Sequence, residues 1–211
     1  MENQKEIYSV KPIAIEYTYY LNYEVTCTSD YQYLFEILSN ATENDTVRLM
    51  IANYGGSLTT CISIVNAIRQ SQASVVGVLT SIAYSAAGAI FLACDGHEVL
   101  RHTSFMGHDA IGGSYGSLAQ IDREIEHKRD VLTSFCNDVY KGFLSDEEIA
   151  ELVQGKSDLW LNEESIVERL DRKHKLLRED YDNYMKESSY SKEDLKKLTK
   201  KDLIEIITSN I

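Results

Sequence analysis

Four short stretches carry side chains and backbone groups suited to acyl transfer. That chemistry needs an exposed nucleophile, a base touching it, an acid orienting the base, and N–H donors for an oxyanion. Ser85 lies beyond an apolar run and opens the stretch Ala86, Ala87, Gly88 and Ala89, which places it at a strand-to-helix turn. Its small neighbours let a substrate backbone come close. The N–H of Ala86, unpaired at a helix start, is a candidate oxyanion donor. So is the Gly55-Gly56 turn, also set after a strand and before a helix. His108 follows the 103–106 strand as a candidate base, and Asp158 precedes Leu159-Trp160-Leu161 as a candidate orienting acid. Each piece also has a plain structural reading. A serine at such a turn caps its helix, a Gly-Gly pair reverses the chain, and a single His or Asp sits solvated in a loop. Residue types and spacing alone leave catalysis open.

The elements that would position these groups alternate. Residues 13–26 mix Tyr, Ile, Thr and Val and read as one or two strands. Ser29 with Gln32 forms a capping-box pair ahead of Tyr31, Leu34, Phe35 and Leu38 at helical spacing. A strand follows at 47–51, then a helix with Leu58, Cys61, Ile62 and Val65 on one face. The continuous apolar run 75–79 predicts a strand covered on both sides. A helix starts near Ser85 and a strand lies near Phe105-Met106. Strands alternating with helices predict an α/β protein built of βαβ units around a parallel sheet.

From Ser117 to Lys141 the chain holds neither Gly nor Pro. This predicts one helix of about 35 Å. Leu118, Ile121, Ile125, Leu132 and Phe135 form a nearly heptad stripe on it, interrupted by Lys128. Such a stripe needs a partner, either the same helix of another subunit or the chain's own sheet. Ser145 with Glu148 opens a shorter helix. The chain divides into a body, 1–170, and a charged helical extension, 171–211, with helix starts at Ser191 and Thr199 and a polar segment near 182–190.

The balance of 21 Lys+Arg against 33 Asp+Glu, a net charge of -12, argues against nucleic acid as the partner. Cys27, Cys61, Cys94 and Cys136 are scattered with no C-x-x-C pair, and three of them sit inside apolar, periodic stretches, which predicts reduced core thiols and a cytoplasmic setting. No His/Cys spacing suggests a metal, and no cofactor motif is present. No apolar run near the N-terminus resembles a signal peptide, and none reaches the ~20 residues needed to cross a bilayer. The expectation is a soluble intracellular protein without a membrane partner.

The combined order of the motifs is more specific than any one of them. Ile51-Ala52-Asn53-Tyr54-Gly55-Gly56 and Ala83-Tyr84-Ser85-Ala86-Ala87-Gly88 resemble the proteolytic subunit of the Clp proteases. So do Phe105-Met106-Gly107-His108-Asp109-Ala110-Ile111-Gly112-Gly113 and Asp158-Leu159-Trp160-Leu161. The resemblance runs from about residue 13 to 170. It implies a crotonase-like spiral with a protruding handle helix, matched by 117–141. It also implies a Ser-His-Asp triad on Ser85, His108 and Asp158, with oxyanion donors on Ala86 and the Gly55-Gly56 turn. Further implications are polypeptide substrates, heptameric double rings closed by the handles, and an ATP-dependent unfoldase as partner. The chain departs from the family pattern at Tyr54, where proline is usual, at Asp109-Ala110, where Gln-Pro is usual, and at Ala86, where methionine is common. This divergence suits a phage-encoded relative. Two other readings keep the fold: a catalytically weak structural subunit of a Clp-like ring, and a crotonase-type acyl-CoA enzyme.

Overall fold

The computed structural model describes residues 13–187. Its centre is the eleven-residue strand β3, Ser74–Tyr84, whose Val75, Gly77, Val78, Leu79 and Ala83 are buried. β2, Thr46–Asn53, alternates strictly, with Val47, Leu49, Ile51 and Asn53 inward. It pairs in parallel with β3 on one side and with β1, Glu16–Leu21, on the other. Two strands share the far edge of β3. β4, Gly96–Val99, lies beside its first half, and β5, Ser104–Gly107, beside Ile82, Ala83 and Tyr84. β6, Leu159–Asn162, closes the sheet antiparallel to β5, giving the order β1-β2-β3-β5-β6. The expected parallel α/β architecture is present. One face of β3 is less covered than the apolar run predicts. There Arg48 of β2 reaches across β3 to Glu98 of β4 in a bidentate pair at 2.8 and 2.6 Å.

Helices α1, Gln32–Asn40, α2, Leu58–Gln70, and α3, Ala86–Leu92, follow their strands and pack side by side. The expected cap at Ser29 is replaced by a 3-10 turn, Thr28–Tyr31, because Asp30 is drawn to the Thr26 hydroxyl at 2.5 Å. On α2 the inward face carries Cys61, Ile64, Val65 and Ile68 rather than Ile62. α4, Leu118–Tyr140, is the expected long helix, about 35 Å from its 23 residues. α5, Asp146–Val153, opens on the expected Ser145–Glu148 capping box.

α6, Glu163–Glu187, runs without a break through the expected boundary at 170/171. It stays attached to the body on both sides of that point. Arg169 grips Glu148 of α5 at 2.7 and 2.8 Å, Leu170 is buried, and buried Lys173 donates to the Val139 carbonyl at 2.7 Å. The helix starts expected at Ser191 and Thr199 lie outside the described residues.

α6 also meets β4 through two imidazoles, His97 Nδ1 and His174 Nε2, 3.0 Å apart. The other His97 nitrogen is buried without a partner. Burial, with repulsion from His174 and Lys173, pushes His97 down from 6.5 to about 3. The folded state therefore binds fewer protons than the unfolded chain between those values, and its stability is lost as pH falls below about 6.5. From pH 7 to 5 the expected loss is about 2 kcal/mol, or about 5 °C in melting temperature. Thermal unfolding at the two pH values should show this drop, at least halved in His97→Gln; an equal drop in both proteins would contradict it.

Candidate active site

Ser85 joins β3 to α3 with φ 54 and ψ -124, one of only two non-glycine residues with positive φ among those described. Such a conformation costs about 1–3 kcal/mol and persists only where its surroundings impose it. Here the Ser85 N–H donates to the Met106 carbonyl at 2.7 Å, and its own carbonyl accepts from Gly88 at 2.9 Å. The chain is pinned on both sides of the residue while the side chain is not. The hydroxyl makes no cap to its helix, so the ordinary reason for a serine at this position is absent. It lines a cavity of about 490 Å³ instead.

His108, Gly56 and Ala86 line the same cavity, with Leu58, Ala89, Ile111, Leu132 and Phe135 supplying apolar wall. His108 is half-buried, one residue beyond β5. Cys136 and Tyr140, both buried, also line this cavity. Burial pushes the Cys136 thiol up to about 12 and raises Tyr140 as well, so both stay protonated and unreactive near neutrality.

The glycine turn lies directly against the serine. Gly55 has φ +97, and a Cβ there would stand 2.6 Å from the Tyr84 carbonyl oxygen and 2.7 Å from Ser85 Cβ. Val25 clamps the turn from the other side: its N–H donates to the Gly55 carbonyl at 2.7 Å, and its carbonyl accepts from Ser57 at 2.6 Å. The expectation for the donor pair needs correction at Gly55. Its N–H donates to Asn53 Oδ1 at 2.7 Å, so it is spent on holding the turn. Gly56 and Ala86 remain as cavity-lining residues with N–H groups that no intramolecular acceptor takes.

Asn53 is the residue that sequence reasoning passed over. Only 1% exposed, it also donates through Nδ2 to the Leu21 and Tyr23 carbonyls, tying β1 to the glycine turn. A polar residue at an inward position of an otherwise alternating strand was the available signal. Glu24 also lines the cavity and had not been singled out.

Asp158 is exposed and does not line the cavity. It stands one residue before β6, whose last pair with β5 is Gly107 with Leu159. One more step of that antiparallel register sets His108 opposite Asp158. The side chains of Ser85, His108 and Asp158 form no hydrogen bonds with one another in the structure. The sheet thus brings two of the three into one cavity and the third across from the base.

The helix stripe divides in two. Leu118 is 81% exposed, Ile121 half-buried and Ile125 exposed, so the first half of α4 stands away from the body. Leu132 and Phe135 take the second of the two expected partners, the chain's own body. They turn inward and wall the cavity, because the second half of α4 packs on α3 and α5. A second cavity of about 540 Å³ runs between the 109–114 segment and α4, sharing Leu58, Ala110, Ile111 and Leu132 with the first. Together they outline a groove along the base of α4.

Among the described residues no cluster of three or more His, Cys, Asp or Glu could hold a metal ion, and no helix is long and apolar enough to cross a membrane. No curated protein matches the chain. The family model described as Clp protease matches residues 15–169, which spans every element from β1 to the first turns of α6.

Proposed function

Because the chain belongs to the Clp protease family and is a Clp-like peptidase, we propose that it is a serine endopeptidase acting through Ser85, His108 and Asp158 inside a self-compartmentalising oligomer. The observation that carries this reading is the strained Ser85 turn, which holds a hydroxyl without an intramolecular partner in a cavity shared with His108, Gly56 and Ala86. Ser85 Oγ attacks the scissile carbonyl while His108 takes its proton. The Gly56 and Ala86 N–H groups receive the developing oxyanion. His108 then returns the proton to the leaving amine, and water repeats the sequence on the acyl-enzyme. Asp158, across from His108, orients the imidazole and steadies its charged form. The relay has no hydrogen bonds in the isolated chain, and catalytic contacts commonly tighten only when substrate arrives. The substrates are polypeptides, and the exposed first half of α4 supplies the face on which subunits assemble. Delivery by a separate ATP-driven unfoldase follows from the family resemblance.

The wall of Leu58, Ala89, Leu132 and Phe135 beside Ser85 sets the side chain accepted before the cut. Peptide amides with Leu, Met or Phe at that position should be cleaved about a hundredfold faster than those with Asp, which would lose hydration there without gaining a partner. Steady-state kinetics with a fluorogenic series checks this. Faster cleavage after Asp would contradict the assignment of the pocket, and no cleavage of any member would favour a catalytically silent ring subunit. That second reading has one observation on its side, an exposed Asp158 and no hydrogen bond among the three side chains.

A further inference from the structure

Three aromatic rings stand in a row beside the cavity. Tyr54, just before the glycine turn, meets Tyr84 edge to face with ring centres 5.8 Å apart, and Tyr84 meets Trp160 in the same way at 5.3 Å. Tyr84 is the last residue of β3 and directly precedes Ser85, while Trp160 lies in β6, two residues beyond Asp158. The sheet register places Met106 of β5 between them, paired with Tyr84 on one side and with Trp160 on the other. The Met106 carbonyl is the group that accepts the Ser85 N–H. Strand alternation puts 106 and 108 on one face, and 158 and 160 likewise. The aromatic row and the row of His108 and Asp158 are therefore successive rungs of the same sheet face.

Burial does not explain the rings. Tyr54 is 75% and Trp160 58% exposed, so neither is a core residue, and their edge-to-face contacts are the main interaction each makes here. Every ring sits within two residues of a group the chemistry needs. Tyr54 adjoins the turn carrying the Gly56 donor, Tyr84 adjoins the nucleophile, and Trp160 adjoins the segment carrying Asp158. The end of β6 is also joined to this region through its four-residue pairing with β5.

We propose that Tyr54, Tyr84 and Trp160 are positioning residues, a row that fixes the oxyanion turn, the Ser85 turn and the Asp158 segment at set separations. The inference rests on the reading of Ser85 as nucleophile. Tyr54 also lines the cavity, but Tyr84 and Trp160 do not; loss of the Trp160 ring leaves the cavity and its apolar wall in place but loosens the spacing of the reacting groups, so it acts on turnover rather than on substrate binding.

The test uses the full chain, a fluorogenic peptide with an apolar residue before the cut, and a fluorophosphonate that phosphonylates the nucleophile, with loss of fluoride, without needing peptide binding. Trp160→Ala should lower kcat and the phosphonylation rate about tenfold with KM changed less than about twofold, and Trp160→Phe, which keeps a ring, should recover most of the loss. Trp160→Ala protein that melts like the parent and is phosphonylated at the parent rate overturns the proposal. So does a change confined to KM, which would mark a substrate contact. Should Trp160→Ala lose its melting transition, Trp160→Leu, which keeps apolar bulk without a ring, is read in the same way against the same two rates. If the parent protein is not phosphonylated at all, the assignment of Ser85 fails and this inference fails with it; a parent that is phosphonylated with unaffected variants removes the inference alone.

Discussion

Replacing Ser85 with Ala should reduce peptide turnover by about 10⁶-fold while leaving the fold intact. A loss of this size is what removal of an activated nucleophile produces, since the base and acid have no other task once it is gone. The fold should not register the change. The Ser85 hydroxyl makes no hydrogen bond within the chain, so its removal orphans no partner. What pins the turn is backbone, namely the bonds from the Ser85 N–H to Met106 and from Gly88 to the Ser85 carbonyl, and alanine keeps both. Melting temperature should therefore stay within about 2 °C of the parent. Cleavage at the parent rate would show that another group attacks the peptide.

Gly55→Ala should do the opposite and damage stability and activity together. The new methyl would press at 2.6 Å on the Tyr84 carbonyl and at 2.7 Å on Ser85 Cβ, both too close for contact, from a backbone with φ +97. The contacted groups are the nucleophile turn itself, held by the Met106 bond on one side and by α3, all of whose residues are buried, on the other. Relief must come from moving either Ser85 or the glycine turn, and each movement separates the hydroxyl from the Gly56 donor. A loss of about 3 kcal/mol in stability and at least about a hundredfold in turnover is expected. Gly112→Ala is the matched control, because a Cβ there would meet nothing within 4 Å. Thermal unfolding and peptide kinetics on the three proteins decide the matter. A Gly55→Ala protein with the parent's melting temperature and rate would mean that the turn does not abut the nucleophile as described.

Much of this arrangement was legible before any coordinates. The apolar-rich stretch at 47–51 and the apolar run at 75–79 announce strands, and the small residues after Ser85 announce a tightly packed helix at a strand end. A Gly- and Pro-free stretch ended by Gly142 announces α4. What periodicity conveys is which residues share a face; it does not say what covers that face. The stripe on α4 therefore read as a single seam, whereas Leu118 and Ile125 are exposed and Leu132 and Phe135 wall the cavity. Nor does spacing reveal which N–H is already taken. Gly55 and Gly56 look alike in the sequence, and only the long-range placement of Asn53 between Leu21, Tyr23 and the turn sets them apart. β4 was missed because Gly96-His97-Glu98-Val99 has neither alternation nor apolar character, and it is a strand through its pairing with β3. The boundary expected at 170/171 followed a change in composition, but α6 carries its contacts with the body past that point through Lys173 and His174.

The central claim is that Ser85 is a chemically activated nucleophile. Incubating the full chain with a fluorophosphonate and mapping the adduct by peptide mass spectrometry tests it most directly. The account predicts one adduct, on Ser85, absent from Ser85→Ala protein and abolished or greatly slowed in His108→Ala protein. No adduct under conditions where the protein is folded, or an adduct of equal yield on a different residue, would contradict it.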